Sequence, residues 1–187
     1  MLCTTCRAES SLTAFLVRTT HDGVAKQLVS ALKFERAVAA AKPMAHAMCE
    51  LLPQLANNVL VTSVPTATSR IRSRGYDQAA LLARLIAKEK RLSYQSLLGR
   101  TSQVRQVGAT RRQRREQLSG SFYVHRKALC AGSAIILIDD VLTTGSSLEA
   151  AAKALCASGA DRVFGMVFAW QLPSLSKIGL PNQAMQV

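Results

Sequence analysis

The stretch "AIILIDDVLTTGSSLEAAAKAL", residues Ala134–Leu155, decides how this chain is read. A branched apolar run, Ile135–Ile138, ends in two adjacent acids, Asp139 and Asp140. Unpaired carboxylates at the end of a buried strand are costly, so the pair needs partners or a task. A small-residue turn follows, Thr143-Thr144-Gly145, and then Ser146, Ser147, Leu148 and Glu149. The Ser146–Glu149 spacing is that of a capping box and predicts a helix start at Ser146. Leu148, Ala152 and Leu155 then recur on one face through Ser158.

The same strand-then-helix grammar runs through the chain. "TAFLVR" (Thr13–Arg18) reads as a strand, and "VAKQLVSALKF" as a helix burying Val24, Leu28, Val29 and Leu32, a face that Phe34 fits poorly. Lys42–Leu55 reads as a helix with Pro43 tolerated in its first turn. "VLVTSV" (Val59–Val64) reads as a buried strand stopped by Pro65, and Asp77–Lys90 as an amphipathic helix. Residues 91–132 are polar, basic and weakly periodic, with a short helix expected near Thr110–Gln117; Arg162–Trp170 is a further strand. Alternating strands and helices imply an α/β fold with a three-layer, mainly parallel sheet. Three parts are expected: an extension over 1–35, a main domain over 36–170, and a loosely held tail over 171–187.

In such sheets ligands bind beyond the carboxyl ends of the strands, where Asp139 and Asp140 stand. The N–H groups of Thr143, Thr144, Gly145, Ser146 and Ser147 can converge on one anion at a helix start, which suits a phosphate monoester. The two carboxylates can accept hydrogen bonds from vicinal sugar hydroxyls. Together these describe a site for a 5-phosphoribosyl group. A Walker A loop is excluded, because no G-K-[ST] follows the glycine. The second loop, after Val64, carries Arg70, Arg72 and Arg74, whose guanidinium forks suit pyrophosphate oxygens; Gly75 then permits a turn into the Asp77 helix.

"ILIDDVLTTGSSL" resembles the 5-phosphoribosyl-1-pyrophosphate (PRPP) loop of type I phosphoribosyltransferases. With "ALKF", "SVP", "RGYDQAALLA" and "RTSQVRQVGATRRQRREQLSGSF" in the same order, the stretch from about Ala31 to Val167 resembles the ComF family of competence-associated, amidophosphoribosyltransferase-like proteins. That family usually shows R-G-F-N-Q-A where this chain has Arg74-Gly75-Tyr76-Asp77-Gln78-Ala79. The resemblance implies PRPP binding with Mg²⁺, with Asp139 and Asp140 as the catalytic acids. It also implies a part in DNA uptake: single-stranded DNA bound in the cytoplasm, beside a translocating helicase. Two alternatives stay open, phosphoribosyl transfer to an unidentified small acceptor and PRPP sensing without turnover. Where some phosphoribosyltransferases carry an acid, this chain has Thr143, which is no general base near neutral pH; simple purine salvage is therefore disfavoured.

Charge supports a polyanion partner. Fifteen of the 24 Lys and Arg lie between Arg70 and Lys127, against only three acids there, so this stretch carries +12 of the net +13. Its densest part, Arg111, Arg112, Arg114 and Arg115, reads as a nucleic-acid-tracking segment or a hood closing over PRPP. Related proteins often begin with two C-x-x-C pairs that bind zinc. Only Cys3 and Cys6 are present here, half of a tetrahedral site, and no bound zinc is expected. Cys49, Cys130 and Cys156 read as packing residues, and His21, His46 and His125 have no spacing that suggests a metal or catalytic pair. No apolar run is long enough to span a bilayer and no basic leader with an apolar core opens the sequence, so a cytoplasmic protein without membrane insertion is expected.

Overall fold

The computed structural model describes residues 10–53, 55, 58–101 and 121–172. In chain order the elements are β1 (Ala14–Thr20), α1 (Gly23–Phe34), α2 (Ala41–Cys49), β2 (Val59–Ser63), α3 (Thr68–Arg74) and α4 (Gln78–Lys90). There follow β3 (Ser93–Tyr94), β4 (Leu98–Arg100), β5 (Phe122–Val124), α5 (Lys127–Cys130), β6 (Ala134–Leu142), α6 (Ser146–Ala157) and β7 (Arg162–Trp170). Five strands form one sheet in the order β1-β7-β6-β2-β3, and every neighbouring pair is parallel. β4 and β5 form a separate antiparallel pair. The fold is α/β with a mainly parallel sheet, as the sequence pattern implies.

Burial on both faces explains the strand composition. Ile136 and Ile138 of β6 pack into one core with Leu32, Met44, Met48, Leu82 and Ile86 from α1, α2 and α4. Ile135 and Leu137, pointing the other way, join a second core with Leu148, Ala152 and Leu155 of α6 and with Phe122 of β5. Gly165 of β7 lets α6 and β1 approach closely: a Cβ there would lie 2.6 Å from Leu148 Cδ2 and 2.9 Å from Phe15 Cδ2. β1, from the N-terminal 35 residues, runs along β7 as an edge strand of the same sheet.

Three local expectations differ from the structure. Val24 lies in the first turn of α1 and is exposed, because that turn overhangs the core that Val29 and Leu32 enter. The second helix is shorter than its periodicity, Ala41–Cys49 rather than reaching Leu55. β6 continues past the acids to Leu142, because β7 pairs with it as far as Leu142↔Trp170. Among the described residues no helix is long and apolar enough to cross a membrane. The helix expected near Thr110–Gln117, Cys3, Cys6, and Arg111, Arg112, Arg114 and Arg115 lie outside the described residues.

Candidate functional site

The connections place the site. From β2 the chain moves outward to β3, and from β6 it moves outward the other way to β7, so the strand order reverses between β2 and β6. A crevice opens at the carboxyl ends of strands around such a reversal. β2 stops first: Ser63 is opposite Ile138, and the Val64 N–H closes the ladder on the Ile138 carbonyl at 2.9 Å. Asp139 and Asp140 therefore remain in β6 on its β7 side but have run past the end of β2.

The two acids differ in surroundings. Asp140 is buried, and its Oδ2 lies 3.1 Å from Lys33 Nζ at the end of α1. Asp139 is half-buried, and its Oδ1 accepts the Asp140 backbone N–H at 2.9 Å. Desolvation raises the Asp139 pKa well above the ordinary carboxylate value, and the adjacent Asp140 charge raises it further. The Asp140 N–H and Lys33 oppose that rise, while Asp77 adds to it.

The phosphate-type turn follows directly. Gly145 is the N-cap of α6 with φ of 74°, a left-handed conformation that glycine adopts without strain. The capping residue is thus Gly145 and not Ser146. The Glu149 carboxylate does not reach back to Ser146 either; it accepts the Ser10 hydroxyl at 2.7 Å and the Ser11 N–H at 2.6 Å, tying the N-terminal segment to α6. No side chain caps the helix, so its first-turn N–H groups face the turn with the positive end of the helix dipole. Thr143 and Thr144 are exposed, Gly145, Ser146 and Ser147 are half-buried, and the Thr144 and Ser146 hydroxyls lie 3.0 Å apart.

The arginine loop is a two-turn helix, α3, closed by Gly75 at φ of 88°. On a helix Arg70 and Arg74 share a face, whereas Arg72 points about 200° away from Arg70. Arg70 and Arg74 line a cavity of about 260 Å³ together with Lys33, Phe34, Arg36, Ser69 and Ser73; Arg72 does not. The structure thus brings two of the three arginines together and adds two cations, Lys33 and Arg36, to which pattern alone gives no role. "ALKF" was the available signal, since its lysine ends an otherwise apolar helical face.

Asp77 and its neighbours fix this wall. Asp77 caps α4 by accepting the Ala80 N–H at 3.1 Å, and it also accepts the Thr66 N–H and hydroxyl, each at 3.1 Å. One carboxylate therefore ties the β2–α3 connection to the start of α4. Buried Gln78 accepts from Arg74 at 3.0 Å, and the Tyr76 hydroxyl donates to the Leu32 carbonyl, holding the end of α1 against this segment.

The remaining titratable residues form no second centre among the described residues. His46 pairs with Glu89 at 2.8 Å on the surface. Burial pushes the Cys49 thiol up to about 11, Cys130 is buried, and Cys156 is exposed on α6 rather than packed. No cluster of three or more His, Cys, Asp or Glu has metal-binding geometry among the described residues.

An α/β sheet with paired acids and an uncapped helix start at its point of reversal defines a protein of the phosphate-ester-binding α/β class. The chain belongs to the phosphoribosyl transferase domain family, whose model matches residues 43–173. Comparison with curated proteins gives no match. Among solved structures, the chain is similar to an allosteric regulatory enzyme of purine biosynthesis, at 16% identity and a TM-score of 0.48 over 70% of this chain and 25% of that one. It is similar to glutamine PRPP amidotransferase from B. subtilis complexed with ADP and GMP, at 15% identity and a TM-score of 0.48 over 68% and 26%. TT1426 from Thermus thermophilus shows 16% identity and a TM-score of 0.39 over 76% and 85%. The chain spans about a quarter of the length of the first two proteins.

Proposed function

We propose that this chain binds PRPP with Mg²⁺ and transfers its 5-phosphoribosyl group. The observation that carries the reading is the placement of Asp139 and Asp140 immediately before the uncapped start of α6, beside the end of β2. In this reading the Thr143–Ser147 turn receives the 5′-phosphate, Asp139 and Asp140 receive the ribose hydroxyls, and Arg70 and Arg74 receive the pyrophosphate. Arg72, on the other side of α3, falls outside that group.

The acids are hard oxygen donors, which suits Mg²⁺ that arrives on PRPP and keeps part of its water shell. Bound Mg²⁺ neutralises charge on the pyrophosphate. As the C1–oxygen bond breaks, its electron pair leaves with pyrophosphate and the ring carbon becomes positive; a lone pair of the acceptor then closes on C1. The carboxylates stabilise the sugar in that cation-like state, and the arginines stabilise the leaving group.

Isothermal titration with PRPP and Mg²⁺, followed by a pyrophosphate-release screen over acceptors, tests the reading. Unchanged PRPP affinity in a folded Asp139→Asn/Asp140→Asn protein sinks the assignment. PRPP binding without pyrophosphate release from any acceptor, water included, selects the non-catalytic sensor instead.

A finer reading places the protein with the ComF type, acting in DNA uptake by binding single-stranded DNA in the cytoplasm next to a translocating helicase. Its support is the charge concentrated between Arg70 and Lys127, together with the sequence resemblance. Arg111, Arg112, Arg114 and Arg115 are its main candidates. Replacing all four with Ala lowers DNA affinity more than PRPP affinity if the segment tracks DNA. Loss of PRPP turnover with DNA binding untouched makes it a hood.

A further inference from the structure

The cavity between the end of α1 and α3 gathers four cations, Lys33, Arg36, Arg70 and Arg74. Among the described residues, Asp140 is the one carboxylate within ion-pair distance of any of them, and it pairs with Lys33 alone. Four like charges around about 260 Å³ repel one another, and a multiply charged anion relieves that repulsion. The walls are built rather than incidental. Arg74 is held by Gln78 at 3.0 Å and stands 5.4 Å from the Phe34 ring, and Arg36 donates to the Ser73 carbonyl at 3.4 Å. Lys33 and Arg36 also precede residue 43, where the family match begins, so half of this pocket comes from outside the matched segment.

We infer that the pocket is a phosphoanhydride subsite in which Lys33 is a positioning residue that exchanges partners. With the pocket empty, Lys33 holds Asp140 at 3.1 Å. With a diphosphate group present, its ammonium turns to a phosphate oxygen, a better-charged acceptor, and Asp140 is released to accept sugar hydroxyls. Occupation of the pocket and recognition of the sugar are thereby coupled through one side chain. The inference rests on the proposed function for the identity of the sugar site, but the pocket itself is read from its own cations.

Lys33→Met keeps the stem and removes the charge, so circular dichroism and thermal melting establish that the variant folds. Two probes are then titrated separately: Mg²⁺ with inorganic pyrophosphate, and ribose 5-phosphate. The expected result is a split: pyrophosphate binds about tenfold or more weakly, as for loss of one charge-assisted contact. Ribose 5-phosphate binds as tightly as before or more tightly, because Asp140 is already free. Lys33→Arg restores pyrophosphate binding in part. Pyrophosphate affinity unchanged by Lys33→Met, or both probes weakened alike, overturns the inference. Wild-type protein that binds ribose 5-phosphate but not pyrophosphate also overturns it, and leaves the proposed function standing on its phosphate turn. Lys33-dependent pyrophosphate binding without any ribose 5-phosphate binding upholds the subsite and removes the proposed function. Competition between pyrophosphate and either PRPP or ATP identifies which molecule supplies the phosphoanhydride.

Discussion

The β6–α6 turn and the α1–α3 pocket both present positive potential next to Asp140, but by opposite means. The turn has no cationic side chain in Thr143–Ser147; its donors are backbone N–H groups aligned by a helix start and permitted by Gly145 at φ of 74°. The pocket uses side-chain cations from two segments, Lys33 and Arg36 on one side and Arg70 and Arg74 on the other. A backbone site tolerates side-chain loss but not backbone change. A side-chain site behaves the other way round, and that contrast can be measured.

The largest expected effect is on the pocket. Arg70→Ala with Arg74→Ala removes two guanidinium groups facing the same cavity and lowers PRPP affinity roughly hundredfold or more. Titration with Mg²⁺ and PRPP checks it, and melting separates lost binding from the lost Arg74–Gln78 bond. A change under threefold means that the pocket does not touch the ligand.

The acids between the two regions give a pH signature. Because the Asp139 pKa is raised in the folded protein, the folded state holds a proton that the unfolded state has released. That stabilising contribution is complete below about pH 4, the ordinary aspartate range, and is lost as pH rises toward the raised folded value. Asp139→Asn removes the dependence, so the variant gains stability relative to wild type as pH rises through that window. In wild type, PRPP affinity climbs over the same window, since the ionised carboxylate is the better acceptor for sugar hydroxyls; in the variant it is lower and flatter. Parallel pH profiles for the two proteins contradict the assignment of Asp139.

How much of this was legible follows from the same contrast. The turn is local: strand, acids, glycine and helix start lie within Ala134–Leu155, and the helix begins at Ser146 as its pattern implies. Even there, the capping-box spacing misled, because Glu149 is taken by Ser10 and Ser11, 138 or 139 residues away in sequence. The pocket is not local. Lys33 meets Asp140 only because α1 packs on the sheet beside β6, and no spacing in the sequence encodes that contact. Arg70, Arg72 and Arg74 looked equivalent while α3 was read as a loop; helical geometry separates Arg72 from the other two.

A smaller effect is expected at the turn. Thr143→Ala with Thr144→Ala deletes exposed hydroxyls but leaves the N–H groups of the turn in place. Ribose 5-phosphate affinity should fall by no more than about threefold, the size of one weak neutral hydrogen bond. Gly145→Ala, which strains the left-handed cap, should weaken the same probe more although it deletes no hydrogen-bonding group. The reverse order of effects would make the turn a side-chain site after all.

The smallest effect on PRPP is expected at Arg72, and it is the most discriminating. Arg72 is exposed on the side of α3 away from the cavity, so Arg72→Ala should change PRPP affinity less than about twofold. It nevertheless belongs to the basic stretch between Arg70 and Lys127. If that stretch tracks single-stranded DNA, losing one phosphate contact lowers DNA affinity and reduces the log–log salt slope by about 0.7. Fluorescence anisotropy with a labelled oligonucleotide over a salt series reads both quantities. Were Arg72→Ala to cost PRPP as much as the loss of Arg70 and Arg74, the cavity would not be the site, and all three arginines would have to act from an arrangement other than α3. An unchanged DNA slope with unchanged PRPP affinity instead makes Arg72 a solvated charge and confines any DNA contact to the other cations of the stretch.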